Sequence, residues 1–202
     1  NNVANGTGTC PMTGTAPTTP GANGPGTAGM GQGYGRGGGM NNGMGMGGGM
    51  RGTGAGLAPM GSLSATQKTT LASMAEEEKL AHDVYVALAA KFPADYQFAR
   101  IANAETMHQA ALRTLLTRYG LTDPTAGLAA GEFSTAAFQK LYADLVAQAT
   151  TAENALGVGI AVEKLDIADL TSALDGLSAP DVTQVYTNLR NASQHHLAAF
   201  GG

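Results

Sequence analysis

The sequence predicts an all-α protein, and three observations lead to that prediction. From Ser62 onward the chain consists of long Ala- and Leu-rich runs with helical periodicity, and both residues are strong helix formers. The Pro and Gly residues that interrupt helices are few in this part, and they divide it into about five segments. No segment alternates apolar and polar residues as a half-buried strand does. We therefore expect four long helices and one short helix.

Local signals place the ends of these helices. Ser64 is a suitable N-cap for the first helix, and Pro93 ends it. Gly120 follows the second helix, where a left-handed residue commonly closes a helix. Ser178 is the expected N-cap of the last helix, with Pro180 in its first turn, where a missing N–H is tolerated. The five helices are expected over about residues 64–92, 95–119, 134–150, 152–175 and 178–200.

The N-terminal part, residues 1–61, differs in composition from the helical part, residues 62–202. It contains 22 of the 30 glycines and seven of the nine methionines, with almost no large apolar residues to offset the entropy of ordering. We expect a disordered Gly/Met-rich tail. Thioether sulfur suits Cu(I), so the tail is a candidate copper site, and the alternative is a flexible tether. Its candidate copper ligands are Met40, Met44, Met46 and Met50.

Composition excludes several classes of protein. A net charge of −4 without a basic run argues against nucleic-acid binding. No stretch reaches the roughly 18 apolar residues of a membrane-spanning helix. A single cysteine, Cys10, excludes an intramolecular disulfide and a thiolate zinc cluster. The chain begins with Asn-Asn rather than Met, as a processed export product would, so we expect an extracytoplasmic location, periplasmic or secreted.

Each long helix carries an apolar stripe with steps of three or four residues, and a carboxylate or an imidazole interrupts every stripe. An ionised carboxylate in an apolar interior is costly unless it is paired or binds a metal. Several carboxylates that converge there repel each other, and a cation such as iron, manganese or zinc removes the repulsion. The alternative is a metal-free, hydrogen-bonded polar network. The interrupting residues are Glu78, Glu105, His108, Glu163 and His196.

The heights of these residues along the helices can be compared. Glu78 lies 14 residues before the first turn, near Phe92, and Glu105 lies 13 residues after it, so the two share nearly one level. For the last turn, near Leu177, Glu163 lies 14 residues before it and His196 lies 19 residues after it. The difference is about 7.5 Å along the axis. A neighbouring ion, side-chain reach or a slid helix would each absorb it.

Four sequence segments resemble those of a known family. The chain resembles the ferritin-like, rubrerythrin-like di-iron carboxylate bundles, and more closely the domain of unknown function family 2202, which is placed with that fold. The resemblance covers about residues 70–200 and implies a ferritin-like antiparallel four-helix bundle that binds iron. The segments are Glu-Glu-Glu-Lys-Leu-Ala-His-Asp-Val-Tyr at 76–85, Glu-Thr-Met-His at 105–108, Val-Glu-Lys-Leu-Asp-Ile-Ala-Asp-Leu at 162–170 and Val-Tyr-Thr-Asn-Leu-Arg-Asn-Ala-Ser-Gln-His-His-Leu-Ala-Ala-Phe at 185–200.

The general plan of this fold has a Glu on two helices and Glu-x-x-His on the other two. Glu78, Glu105 with His108, and Glu163 match the first three helices. On the fourth helix, Ser193 stands three residues before His196, where the plan has Glu. Asp166, one turn from Glu163, is the candidate substitute. The resemblance therefore leaves one ion, an asymmetric pair or two ions open.

Three functions are compatible with these patterns. The first is an oxidoreductase with carboxylate-bound iron, such as a ferroxidase or a peroxide reductase. The second is a protein that sequesters or delivers iron or copper, with the Met-rich tail taking part. The third is a structural bundle that has lost its metal. The expected partners are metal ions, and the sequence leaves a homodimer open.

The remaining polar residues near the stripes are interpreted as accessory. We expect Glu76 and Glu77 to be solvated charges of the first helix. His82 and His195 are expected at the surface or beside a ligand rather than as ligands. Tyr85 lies on the apolar stripe and is expected in the core.

Overall fold

The computed structural model describes residues 56–202, and the predicted tail up to residue 55 lies outside the described residues. The described part contains helices and connections without a strand, so the all-α prediction is confirmed. None of its helices combines the length and the apolar character needed to cross a membrane. The helices are α1 Ala65–Lys91, α2 Gln97–Arg118, α3 Ala136–Gln148, α4 Ala152–Leu174 and α5 Pro180–Ala199.

The helix ends follow the predicted signals with one exception. Ser64 caps α1 in a capping box: its side chain accepts from the Gln67 amide, and the Gln67 side chain accepts from the Ser64 amide. Gly120 follows α2 with a φ of 64°, the left-handed conformation that closes a helix. The prediction that Ser178 caps α5 is wrong. The N-cap is Ala179, which makes no side-chain cap, and Pro180 is the first residue of the helix.

The helices contact one another in a defined pattern. Helix α1 packs against α2, α3 and α4, while α5 packs against α4 and α2. Side-chain contacts join Glu78 to His108 across α1 and α2, and Asp166 to Ser193 across α4 and α5. Because five-residue connections link α1 to α2 and α4 to α5, each of these pairs is antiparallel.

Two apolar clusters fill the interior, and polar residues lie between them along the four long helices. One cluster surrounds Tyr85, Phe98 and Phe200, and the other surrounds Leu112 and Leu189. We call the residues between these clusters the polar layer. It consists of Glu78, Glu105, His108, Glu163, Asp166 and His196.

The register of α4 and α5 resolves the predicted difference in height. Glu163 faces His196 and Asp166 faces Ser193, so each pair shares one level. The residue next to the end of α4, Asp175, and the residue before α5, Ala179, both have extended backbone. Glu163 lies 11 residues before the end of α4 and His196 lies 16 residues after the start of α5, so α5 begins about 7.5 Å beyond the end of α4, which corresponds to the slid-helix alternative.

The described chain before α1 is held by specific hydrogen bonds. The Ala58 amide donates to the Gln184 side chain at 2.8 Å, and Arg118 donates to the Ala58 carbonyl at 3.1 Å. The Gly61 amide donates to the Tyr119 hydroxyl at 3.2 Å and to Asp181 at 3.3 Å. Residues 56–61 therefore lie against the end of α2 and the start of α5.

Candidate metal centre

The structure brings the five stripe-interrupting residues together in the interior. Glu78, Glu105, His108 and Glu163 are buried, and the His196 side chain is 13% exposed. None of the three glutamates points to solvent. Their convergence agrees with the stripe interpretation, whereas their role as metal ligands stays a prediction.

Three of these residues form a first ligand group, made of Glu78, Glu105 and His108. The Nδ1 atom of His108 lies 3.2 Å from Oε2 of Glu78 and 2.6 Å from Oε2 of Glu105. Glu105 and His108 project from one face of α2, one turn apart, and Glu78 reaches them from α1.

A second ligand group contains Glu105, Glu163 and His196. The Nδ1 atom of His196 lies 2.9 Å from Oε1 of Glu105 and 3.6 Å from Oε1 of Glu163. The rings of His108 and His196 stack with their centroids 5.6 Å apart. Glu105 thus belongs to both groups and directs one carboxylate oxygen to each.

Tyr85 lies beside the second ligand group, in the core as predicted. Its hydroxyl donates to Oε1 of Glu163 at 2.6 Å, and its ring packs against Phe98 and Phe200. Burial, together with the neighbouring charge of Glu163, raises the pKa of Tyr85 well above its ordinary value. The phenol therefore remains protonated and orients the Glu163 carboxylate.

Asp166 occupies the polar layer without belonging to either ligand group. The Ser193 hydroxyl lies within hydrogen-bond distance of both Oδ2 of Asp166 and the Leu189 carbonyl, which share its one hydrogen. Burial raises the pKa of Asp166 to about 7, against the Ser193 hydrogen bond, which lowers it. Ser193 therefore orients a carboxylate that belongs to α4. In the plan implied by the resemblance, the Ser193 position on the fourth helix carries a Glu.

Charges in the polar layer are strongly coupled. Burial acts to raise the pKa of Glu105, but hydrogen bonds from His108 and His196 outweigh it and lower the pKa below its ordinary value. Burial acts to lower the pKa of His108, but the hydrogen bonds to Glu105 and Glu78 raise it to about 11. His196 follows the same pattern, with a pKa of about 9. Burial and the charge of Asp166 raise the pKa of Glu78. Without a cation, protons balance the buried carboxylates.

The prediction that Glu76 and Glu77 are solvated is wrong, because both side chains are buried. Glu76 accepts from the amides of Ser134 at 2.8 Å and Thr135 at 3.0 Å, at the start of α3. It therefore supplements the cap of that helix. Glu77 has its Oε1 atom buried without a hydrogen-bond partner. Burial and the charges of Asp166 and Asp169 raise its pKa to about 9.

His82 and His195 lie outside both ligand groups, as the sequence predicted. Nδ1 of His82 lies 2.8 Å from Oδ1 of Asp83, and its side chain is partly exposed. His195 is exposed on α5.

The donor set of the two ligand groups fits a transition-metal ion. Within each group the candidate donor atoms lie within 4.8 Å of one another. Donors that share an ion at about 2.1 Å are about 3.0–4.2 Å apart, so small side-chain shifts suffice. Oε1 of Glu78 is also buried without a hydrogen-bond partner, a state that is costly unless a ligand satisfies it. Carboxylate and imidazole donors suit iron, manganese and zinc.

Comparison with known proteins identifies relatives without an established function. Residues 67–201 match the family described as "Uncharacterized protein domain (DUF2202)". The uncharacterized protein MJ0754 of Methanocaldococcus jannaschii is 39% identical over 143 residues, which cover 70% of this chain and 77% of that protein. The crystal structure of hypothetical protein MJ0754 from Methanococcus jannaschii is similar, with a TM-score of 0.69 and 38% identity. That alignment covers 72% of this chain and 83% of the other.

Proposed function

The chain belongs to the DUF2202 family, and we propose that it is a metal-binding protein with a ferritin-like four-helix bundle whose polar layer holds iron. The family predicted from the sequence is thereby confirmed, and the bundle type and the metal belong to the proposal. The observation that carries it is the position of Glu105, which joins two buried ligand groups.

Each ligand group has the composition of an ion site. Glu78 and His108 would hold one ion, Glu163 and His196 would hold the other, and Glu105 would serve both. Asp166 is the remaining carboxylate of the polar layer, oriented by Ser193. Manganese and zinc accept the same donors and are the alternatives to iron.

The protein's own residues determine what happens at this centre. Iron held there would supply the redox step of Fe(II) oxidation or peroxide reduction. Tyr85 fixes the Glu163 carboxylate through its hydroxyl, and the two apolar clusters pack on either side of the polar layer. Sequestration without turnover uses the same residues and is the second candidate function.

Metal titration of the full chain tests the proposal. We expect the metal-free protein to bind one Fe(II) or Mn(II) per ligand group under anaerobic conditions, measured by calorimetry. Each bound ion should stabilise the fold by about 2.7 kcal/mol when the free ion reaches about 100 times Kd, which is about 5.4 kcal/mol for two ions. Binding should weaken progressively as the pH falls from about 9, because His108 and His196, with pKa values of about 11 and 9 in the metal-free protein, must lose a proton to bind an ion.

Single substitutions separate the two groups. Glu78→Gln should abolish one of the two bound ions, whereas Glu105→Gln should abolish both. Glu153→Gln, an exposed change in the first turn of α4, is the control and should bind like the native protein. A native protein that shows no binding and no melting shift would contradict the proposal and favour a structural bundle. Oxygen consumption and peroxide assays on the iron-loaded protein then separate turnover from sequestration.

A further inference from the structure

A groove between α1 and α4 lies on the surface near the polar layer, and polar and apolar atoms line it about equally. Its volume is about 480 Å³. Among the described residues that line it there is no Lys, Arg or His, and oxygen atoms dominate its polar wall. The residues that contribute side-chain oxygen are Thr66, Thr69, Thr70, Ser73, Asp169 and Ser172.

The hydroxyl groups of this groove are arranged to present lone pairs. Thr69 and Thr70 donate their hydroxyl hydrogens to the carbonyls of Ala65 and Thr66, one turn earlier in α1. Each oxygen therefore keeps a lone pair for another partner. Hydroxyl and carboxylate oxygens are ligands that a hydrated divalent cation accepts in place of water.

Glu77 lies between the groove and the polar layer along α1. It follows Ser73 by one turn of α1, and its charge neighbours are Asp169, in the wall of the groove, and Asp166, in the polar layer. Its side chain is only 4% exposed, and its Oε1 atom has no hydrogen-bond partner.

This Oε1 atom destabilises the fold, because a buried carboxyl oxygen without a hydrogen-bond partner costs free energy that an apolar residue would not. Neither ligand group uses Glu77. Ser73 and Asp169 line the groove. One turn closer to the polar layer, Glu77 follows on α1 and Asp166 on α4, so the acids lead from the groove toward the ligands.

We propose that the α1–α4 groove is the access route by which a divalent cation reaches the metal centre, and that Asp169 and Glu77 form a transfer site between solvent and Asp166. This inference rests on the proposed function. Asp169 is the one charged residue that lines the groove in the described part of the chain, and its negative charge favours a cation over an anion. A neutral oxidant gains nothing from a buried carboxylate, so the arrangement favours the ion over peroxide or dioxygen.

The rate of metal binding tests the route separately from the centre. Co(II) is added to the metal-free full chain in a stopped-flow instrument, and its visible absorption reports ligation. We expect Asp169→Asn and Glu77→Gln each to lower the association rate at least about fivefold, since a charged path raises local ion concentration. Stoichiometry and the final spectrum should match the native protein. Ser73→Leu, which narrows the groove without changing charge, should also slow binding.

Glu153→Gln is the matched control, because it removes one negative charge from the same helix. It lies 16 residues from Asp169, which is about 24 Å along α4. Its association rate should stay within about twofold of the native rate, because a distant exposed charge is screened. Native rates in Asp169→Asn, Glu77→Gln and Ser73→Leu, with normal saturation, would overturn the route and leave the metal centre intact. Failure of the native protein to bind Co(II) would overturn both.

Discussion

At the scale of single residues, Glu105 is the side chain that both ligand groups share. The polar layer therefore forms two ligand groups although α5 contributes a histidine without a carboxylate. Its two oxygens approach His108 and His196 separately, so one carboxylate takes part in contacts from α1, α4 and α5. Ser193 has no carboxylate of its own but directs that of Asp166. The carboxylate beside Ser193 therefore comes from α4 instead of α5, although Asp166 belongs to neither ligand group.

A second buried network, outside the polar layer, ties α1 to the connection between α2 and α3. Lys79 pairs with Asp83 one turn later and donates to the Ala129 carbonyl at 2.9 Å. Asp83 also accepts from the Gly131 amide at 2.9 Å. Both charged side chains are buried, so removal of either one would leave the other as an uncompensated buried charge.

Asp83 gives a prediction for stability and its pH dependence. Burial acts to raise its pKa, but hydrogen bonds from His82, Lys79 and Gly131 outweigh it and hold the pKa below its ordinary value. Asp83→Asn should lower the free energy of unfolding at pH 7 by about 2 kcal/mol. A lowered pKa stabilises the fold above the unfolded value of about 3.9, and this contribution is lost as pH falls below it. Urea unfolding of both proteins at pH 7 and pH 3 should show the difference shrinking at pH 3.

The chain offers a matched control for this network. Lys140 and Asp144 form the same four-residue pair, but on an exposed face of α3. Asp144→Asn should change stability by less than about 0.5 kcal/mol. Equal losses in the two variants would show that burial of the Asp83 pair contributes nothing.

At the scale of helices, α1 shows where the sequence-based prediction failed. A single apolar stripe assumes that one face of a helix is buried. The middle of α1 instead packs against three helices, and a continuous run of residues from Met74 to Ala81 is buried. Glu76 and Glu77 therefore lie inside although they are off the stripe. The signal that could have found them is the run of three consecutive glutamates in the middle of a long helix, with Lys79 as the one basic residue beside it.

The long helices themselves were predictable because their ends depend on local chemistry. Ser64 and Gln67 form a complete cap from side chains three residues apart, and Gly120 supplies the left-handed residue. The start of α5 was placed incorrectly because it depends on tertiary packing. Ala179 is fully buried, and a Cβ built on Gly61 would lie 2.4 Å from its Cα atom.

Two glycines of α4 give a prediction at this scale. A Cβ at Gly159 would lie 2.8 Å from the Phe200 ring, which Tyr85 and Phe98 hold in place. Gly159→Ala should therefore lower the free energy of unfolding by about 1–3 kcal/mol, despite the better helix propensity of Ala. Gly157 has no atom within 4 Å of its built Cβ, so Gly157→Ala should stabilise by about 1 kcal/mol. Urea unfolding measures both, and stabilisation by both variants would show that Phe200 moves aside freely.

At the scale of the whole molecule, the polar layer is supported from both sides by apolar clusters. The convergence of four helices on one level could be predicted for α1 and α2, because their connection is a short turn midway between Glu78 and Glu105. It could not be predicted for α4 and α5. There the pairing of Glu163 with His196 depends on how far α5 begins beyond the end of α4, which local sequence patterns do not specify. Side-chain partners such as Ser193 with Asp166 depend on that same register.

The N-terminal chain makes specific contacts with the helices shortly before α1 begins. The sequence predicts that residues 1–61 are dispensable for folding, but Ala58 and Gly61 make hydrogen bonds to α5 and to residues at the end of α2. Removal of residues 1–61 should therefore lower the free energy of unfolding by about 1–3 kcal/mol, since the fully buried Asp181 loses an amide donor. Removal of residues 1–55 keeps these contacts and should leave stability unchanged. Thermal unfolding of the two truncated chains and of the full chain measures these differences in stability. Equal stability of all three would show that the contacts of residues 56–61 contribute nothing, and a loss in both would place folding contacts before residue 56.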